Sequence, residues 1–494
     1  MARPAREEGG RQGGRMATTD TITGTTTGQW VRDIANWTSA FSPLSLSADA
    51  VNQAKHLILD TIGCAVAALA EDEALAVPAA VEAMGGAPQA SLIGRDTRSS
   101  AAGAALANGA LLRFLDLNDF LMDGGTKGAS VGGHPSDNIG PVLAVAEWRD
   151  ASGLDAVGAV ALCYEIYARL NGQMDRTGGW DTTSVSAFSV AAAAGKLMGF
   201  DPARLANAVA LGAIRAPTPG VVRSGHISAA KYLANAMIAH AAVEAAVLAE
   251  HGLTGPMEAV EHARGLGKLF DLTHDPDALC RPLGEPCALM MSSIKAYPCL
   301  ATGQTVAAAA AQLHEKIGGK AGGRIDGIRT ITVTMADSPV IRRQQTDPGR
   351  LDPRSREAAD HSFPFIAAIA LIEGRLTPRD YDGERWNAAD VRALMRRMRF
   401  DTDAALGARN PDGYPVRIRL DIADGTSVEA ESLAAPGMSA GGVAREAVVA
   451  KFEALTEGLL STARRDAVCD MVLRLDTLPS VRPLMEALAL PPGA

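Results

Sequence analysis

Between Phe114 and Trp148 the chain reads FLDLNDFLMDGGTKGASVGGHPSDNIGPVLAVAEW. Asp116, Asn118, Asp119 and Asp123 crowd together, a glycine-rich loop carrying Lys127 follows, and His134-Pro135-Ser136-Asp137 then leads into an apolar stretch. An imidazole held by a proline-stiffened turn beside carboxylates suits proton transfer, because its ordinary pKa of about 6.5 is easily moved across neutrality by its surroundings. Ser136 or Asp137 is equally a natural helix N-cap, and capping and turn chemistry account for the same pattern without any catalysis. Two lysines sit in comparable settings: Lys231 opens a long apolar stretch after RSGHISAA, and Lys295 lies in SSIKAYPCLATGQ. A lysine in an apolar run ordinarily snorkels to the surface, but both flank expected junctions between elements, where clefts form. Arg223 and His226 add positive charge just upstream of Lys231. Asp360-His361-Ser362 precedes the apolar run FPFIAAIALIEG, and there Asp360 and Ser362 read as N-caps.

Other chemistries lack their signatures. There is no G-x-x-x-x-G-K-[ST], and the nearest dinucleotide-like piece, Gly265-Leu266-Gly267, lacks both a third glycine and a preceding strand. H-E-x-x-H and G-x-S-x-G are missing too, so zinc hydrolysis and acyl transfer have little support. The nine histidines are dispersed, and Cys64, Cys163, Cys280, Cys287, Cys299 and Cys469 form no C-x-x-C. No metal and no other cofactor is expected, and scattered thiols suit a reducing compartment. With 47 Lys+Arg against 56 Asp+Glu the 494-residue chain carries a net charge of −9, which gives no global attraction for nucleic acid or an anionic membrane. An anionic ligand must therefore find a local cluster of cations. No uninterrupted apolar run reaches the roughly 20 residues of a membrane span, and the polar N-terminus is unlike a secretory signal, so a cytoplasmic protein without membrane partners is expected.

The elements that must hold these residues are mostly helices. Residues 1 to 27 mix Gly, Arg, Glu and Thr with little to bury and are expected to be disordered. From Ser47 to Leu69, Val51, Ala54, Ile58, Ile62, Ala65 and Leu69 recur at three- and four-residue steps, with Ser45 or Ser47 as cap. Similar Ala- and Leu-rich stretches recur near 99–115, 138–149, 154–170, 184–198, 203–213 and 228–251. Their small residues let helix axes approach closely, which favours a compact bundle. After Met291 the character changes: IRTITVTM at 328–335 is β-branched, and Val416, Ile418, Leu420 and Ile422 alternate with polar residues before an Asp424-Gly425 turn and a second strand at 426–430. Helical stretches near 302–315, 357–374 and 388–397 lie between. The fold expected is mainly α: a large all-helical domain formed by both ends of the chain, 28–291 and 437–494, with a smaller α+β lid domain, 292–436, inserted.

FLDLNDF followed by GGHPSDNIGPVLAVAEW, then GWDTTS with AAGKLMGF, RSGHISAAK with HGLTGP, IKAYPCLATGQ and DHSFPFIAAIALIEG, in this order from about 30 to 480, resembles the MmgE/PrpD family. The resemblance implies a helical domain with a lid, a homodimer, and cofactor-independent lyase chemistry on a small di- or tricarboxylic acid. Known members include 2-methylcitrate dehydratase, cis-aconitate decarboxylase and epimerases of small acids. The wording of HPSDNIG and DHS points to the dehydratase branch, a hydro-lyase. Carried over residue by residue, the family's acidic position falls on Asp116, its loop histidine on His134, and its substrate-carboxylate lysines on Lys231 and Lys295. His134 and Asp116 are then the expected catalytic pair, with Asp116 positioning the imidazole or sharing its proton. Lys231, Lys295, Arg223, Lys127 and His361 are the expected substrate-binding residues. Three polar positions depart from the pattern, now Phe120, Asp181-Thr182 and Phe365. A decarboxylase, an epimerase or a non-catalytic carboxylate-binding protein on the same scaffold stays open on that account.

Overall fold

The computed structural model describes residues 28–121, 132–173, 179–270, 288–319, 325–411, 413–438 and 442–489. The expected disordered tail, 1–27, lies outside the described residues. The chain is mainly α-helical, and the helices of its first half fall where the apolar spacing puts them: Ala48–Ala68, Ala101–Phe114, Ile139–Trp148, Gly153–Gln173, Ser186–Leu197, Pro202–Ala213 and Ala230–Glu250. Ser47 caps the first of these by accepting from the Ala50 amide. Helix Ala230–Glu250 packs against Ala101–Phe114, Ser186–Leu197 and Pro202–Ala213. The crossing with Ala101–Phe114 is close because Gly109 has no side chain: a Cβ there would come within 3.3 Å of the Ala236 Cβ. By length and mean hydropathy Ala230–Glu250 could cross a membrane, although Lys231, His240 and Glu244 interrupt its apolar run. Its packing on three neighbours gives it instead the role of a core helix.

Buried apolar side chains gather mainly in two cores. One joins residues from Trp30 to Ile294 with Val448, Phe452, Val468, Val472 and Leu484 of the C-terminal helices. The other runs from Cys299 to Ala430 and lies over a four-stranded sheet. Its strand order is Met398–Asp403, Ile328–Ala336, Val416–Ile422, Ser427–Ser432, with the first pair parallel and the others antiparallel. Val333 lies opposite Ile418, and Ile418 opposite Ala430, so the β-branched alternation becomes one buried face. Helices Gln304–Lys316 and Phe363–Glu373 pack together, and the former covers the hairpin strands. The hairpin turns at Asp424-Gly425 as the sequence suggests, with Gly425 at φ +86°. The parallel edge strand Met398–Asp403, whose residues are only partly buried, has no counterpart in the sequence reading.

Both ends of the chain meet under the residues singled out above. Lys451, on the C-terminal helix Arg445–Thr456, forms an ion pair with the fully buried Asp60 at 2.6 Å and donates to the Leu117 carbonyl at 2.8 Å. Removing one partner of a buried pair strands the other charge, at a cost of about 3–5 kcal/mol, whereas removing both is far milder. Lys451→Met should therefore lower the unfolding midpoint in denaturant, and Lys451→Met with Asp60→Leu should recover much of the loss. An unchanged midpoint in the single variant would show that the pair braces nothing.

Candidate active site

Helix Ala101–Phe114 ends at Leu115, and the next residue, Asp116, takes a left-handed backbone conformation (φ 49°). Aspartate tolerates that region better than most residues, and the turn sends its carboxylate into the interior rather than along the helix. Three cations meet it there. Arg113, in the last turn of the same helix, donates to Oδ1 at 2.5 Å. Lys231 reaches Oδ2 at 3.0 Å. Lys295 donates to Oδ1 and, at 3.0 Å, to the Asp116 backbone carbonyl. All four side chains are buried.

Each cation arrives by a different route. Lys231 lies in the first turn of Ala230–Glu250, where the helix dipole disfavours a positive charge, so carboxylates must compensate it. Asp116 is one; Asp360, at 2.5 Å from the Lys231 Nζ, is the other. Lys295 is delivered by a short antiparallel pairing in which Phe120 lies opposite Ser293 and Leu121 opposite Ser292. His361 donates through Nδ1 to Asp360 at 2.5 Å and lies 3.5 Å from Asp116 Oδ2. Ser362 caps the following helix by accepting from the Phe365 amide, as its sequence suggests. Asp360 is not the cap that the sequence reading makes of it: its carboxylate is committed to Lys231 and His361.

Burial works against charge on Asp116, but Arg113, Lys231 and Lys295 outweigh it and hold the carboxyl well below its usual range. Asp360 goes the other way: burial raises it, and Lys231 only partly opposes. His361 is held well below the ordinary imidazole range by burial and by Lys231. The site is therefore a buried cationic cluster neutralised by carboxylates, with a neutral imidazole and a carboxyl of raised pKa at its edge.

The expected contact between His134 and Asp116 is not the one that forms. The His134 Nδ1 lies 2.6 Å from the Asp119 backbone carbonyl, and Asp116 is taken up by the cations. Ser136 and Asp137 do not cap the helix Ile139–Trp148, whose N-cap makes no side-chain bond. They belong to a network instead: Asn118 donates to the Ser136 hydroxyl at 2.8 Å and to Asp137 at 2.7 Å, Ser136 donates to Asp119, and Tyr164 donates to Asp119 at 2.9 Å. Arg113 links this network to the cluster, donating to Asn118 Oδ1 at 3.2 Å. Gly133 approaches at φ +87° with its Cα against the Tyr167 hydroxyl, where no side chain fits. Burial pushes Asp119 up to about 6, against its bonds from Ser136 and Tyr164.

Of the sequence-derived residues, Asp116, Lys231, Lys295 and His361 thus come together directly, and His134 adjoins them through the network. Arg223 stands nearby but is paired with Asp181 at 2.8 Å. Lys127 lies outside the described residues. Arg113 and Tyr164 are not among the residues the sequence singles out, Asp119 stands there only as one of the crowded acids, and Asp360 only as a cap. Arg113 is detectable as the one charge on a helix that is apolar but for Asn108, three residues before an aspartate. The two positions where aromatic rings replace polar residues are packed away: Phe120 against Ala301 and Tyr414, and Phe365 against Tyr381 at 5.2 Å between ring centroids.

Asp116, Asp360 and His361 have ligand atoms within 4.8 Å of one another, a spacing that suits a metal ion. Lysine ammoniums already occupy the carboxylate oxygens that such an ion would need, and a divalent cation would have to displace them. The donor set therefore favours cation groups supplied by the protein.

Because a carbonyl can only accept, the 2.6 Å contact fixes the His134 proton on Nδ1 and leaves Nε2 with its lone pair. Burial, Arg113 and Lys295 hold the ring well below its usual pKa. The folded-state pKa is depressed, so the neutral ring contributes stability above the unfolded value of about 6.5 that is lost as pH falls. In spectra of histidine-labelled protein between pH 8 and 6, His134 should show an Nδ1–H tautomer that does not titrate. A midpoint near 6.5 would contradict this placement.

The N-terminal domain of the MmgE/PrpD family matches residues 32–278 and its C-terminal domain matches 297–476. The chain is 24% identical over 507 aligned positions to the cis-aconitate decarboxylase-like protein oryM of Aspergillus oryzae, covering 95% of this chain and 98% of that protein. It is 27% identical over 409 positions to 2-methylcitrate dehydratase of Cupriavidus necator, covering 77% and 80%. To cis-aconitate decarboxylase of Mus musculus it is 25% identical over 362 positions, covering 70% and 71%. Between them the two domain matches span both the segment bearing Asp116, His134 and Lys231 and the segment bearing Asp360 and His361: the chain belongs to the MmgE/PrpD family.

Proposed function

We propose that the protein is a lyase that eliminates water from a small di- or tricarboxylic acid. The observation that carries this reading is the convergence of Arg113, Lys231 and Lys295 on Asp116, beside the Asp360–His361 pair. Removing a proton from carbon next to a carboxylate builds negative charge on that carboxylate, and fixed cations in a water-poor site hold it. Lys231 and Lys295 take that part. His134, neutral and with Nε2 unprotonated, accepts the proton from carbon. The departing hydroxyl takes a proton from the Asp360–His361 pair, where burial keeps a proton bound to higher pH than on an isolated carboxyl. One C–H and one C–O bond break, a C=C bond forms, and water leaves. Relatives named 2-methylcitrate dehydratase support the elimination.

Decarboxylation is the second reading, favoured by the near full-length match to a cis-aconitate decarboxylase-like protein. The same cations would hold the charge left when carbon dioxide departs, and a proton would then be delivered to carbon rather than to oxygen. Incubation with 2-methylcitrate, citrate and cis-aconitate, following both unsaturated product and released carbon dioxide, separates the two. On the acid that turns over, His134→Ala should lower kcat by about 10²–10⁴-fold with the fold intact. Lys231→Ala should lower kcat/KM, raising KM through the lost carboxylate contact and lowering kcat through the lost hold on the developing charge. Unchanged kcat in His134→Ala with reduced thermal stability would leave that histidine a structural part only, and no turnover of any polycarboxylate would end the lyase reading.

A further inference from the structure

Arg356 opens the short helix Arg356–Ala359, which ends directly before Asp360. Its guanidinium lies between two rings, 5.2 Å from the Phe114 centroid and 5.1 Å from that of Tyr381. Nη1 donates to Glu71 Oε2 at 3.0 Å, and Nη2 lies 3.5 Å from the Pro378 carbonyl. Phe114 belongs to the first core and Tyr381 to the second, and Glu71 stands just past the helix Ala48–Ala68. One side chain thus ties the two cores together, by an ion pair and by cation–π contact with a ring from each.

What the guanidinium touches leads back to the site from several sides. Phe114 directly follows Arg113, and its ring meets edge-on, at 5.0 Å, that of Tyr232, which directly follows Lys231. The Tyr381 hydroxyl donates at 2.6 Å to the carbonyl of Pro298, a short step past Lys295. Within the helix of Arg356 itself, the Arg356 carbonyl accepts from the Asp360 amide at 2.9 Å. Ser355, the N-cap of that helix, donates to the Ile227 carbonyl at 2.9 Å, on the approach to Lys231. Each charged group of the site therefore has a near neighbour in sequence within this clamp, while the clamp touches none of them through its guanidinium.

We propose that Arg356 is a positioning residue: it holds the turn that carries Asp360 and His361 in register with the end of the helix that carries Arg113 and Asp116. Asp360 reaches Lys231, and His361 comes near Asp116, only across the boundary between the cores. Hydrogen bonds weaken steeply once distance and angle leave a narrow range, so that boundary must be fixed from outside the site. The consequence for turnover rests on the lyase reading above, in which the Asp360–His361 pair protonates the departing hydroxyl.

Proton spectra of the full, histidine-labelled chain test the placement without any substrate. Arg356→Met should shift or broaden the His361 Nδ1 proton, which is bonded to Asp360, and leave unchanged that of His134, which is bonded to the Asp119 carbonyl. Arg356→Lys keeps a cation between the rings and should hold the His361 proton nearer its wild-type position. If Arg356→Met does not fold, Glu71→Gln carries the same comparison, because it removes the ion pair and leaves both rings in place. Equal movement of the two protons, or movement of neither, overturns the proposal. On the acid that turns over, Arg356→Met should lower kcat by about 10- to 100-fold, the cost of an ångström-scale misplacement, and change KM by less. A raised KM with kcat unchanged overturns the proposal as well. A wild type that turns over no polycarboxylate ends the lyase reading, and the two histidine protons then decide the placement by themselves.

Discussion

One buried carboxylate organises the site. Asp116 is the only anion that Arg113, Lys231 and Lys295 have in common among the described residues, and without it three cations from distant parts of the sequence would repel one another in a medium that screens poorly. Burial of charges at this density is tolerable only when each is answered, and here the answers are shared: Asp360 helps with Lys231, and Asp137 with Arg113. A cluster held in this way is preorganised for a ligand that brings carboxylates of its own. Such a ligand meets cations already in place, with no reorganisation needed as charge develops.

The fold is arranged to deliver this meeting. A left-handed residue at the end of one helix supplies Asp116, the first turn of a second Lys231, the chain just past a two-residue strand pairing Lys295, and the turn before Phe363–Glu373 both Asp360 and His361. The first core carries Asp116, Arg113 and Lys231, and the second stands behind Asp360 and His361, so the ion pairs themselves join the two. Lys451 braces the strand of chain just past Asp116 from below. The network from Asn118 through Ser136 to Tyr164 sets Asp119, whose carbonyl in turn sets the tautomer of His134. The bonds that orient His134 and the ion pairs around Asp116 thus come from separate sets of residues that meet at Arg113.

Much of this was legible in the chain because periodicity is a local property. Helices such as Ala48–Ala68 and the Val416–Ile422 hairpin are written in apolar spacing and turn residues, and they form where that spacing puts them. Lysines in apolar surroundings were likewise visible as unusual. The partners were not. Nothing in the residues around Asp360 distinguishes a cap from an ion-pair acceptor, because the lysine that decides the matter is 129 positions away. Ser136 and Asp137 have the residue types of a cap and sit where one belongs, yet side chains from the preceding loop claim them first. The edge strand Met398–Asp403 turns Met398 and Phe400 toward the second core and Arg399 and Asp401 outward, an alternation of only two apolar residues that is too short to mark a strand until Ile328–Ala336 offers it a free edge.

The central claim is that Asp116 supplies the counter-charge for which a bound carboxylate can substitute. Thermal melting of Asp116→Asn, with and without propane-1,2,3-tricarboxylate, tests it most directly. The variant should melt well below the wild type in buffer, and the added acid should raise its melting temperature by more than it raises that of the wild type. A variant that melts with the wild type, or one whose shift on adding the acid is no larger, would contradict the account.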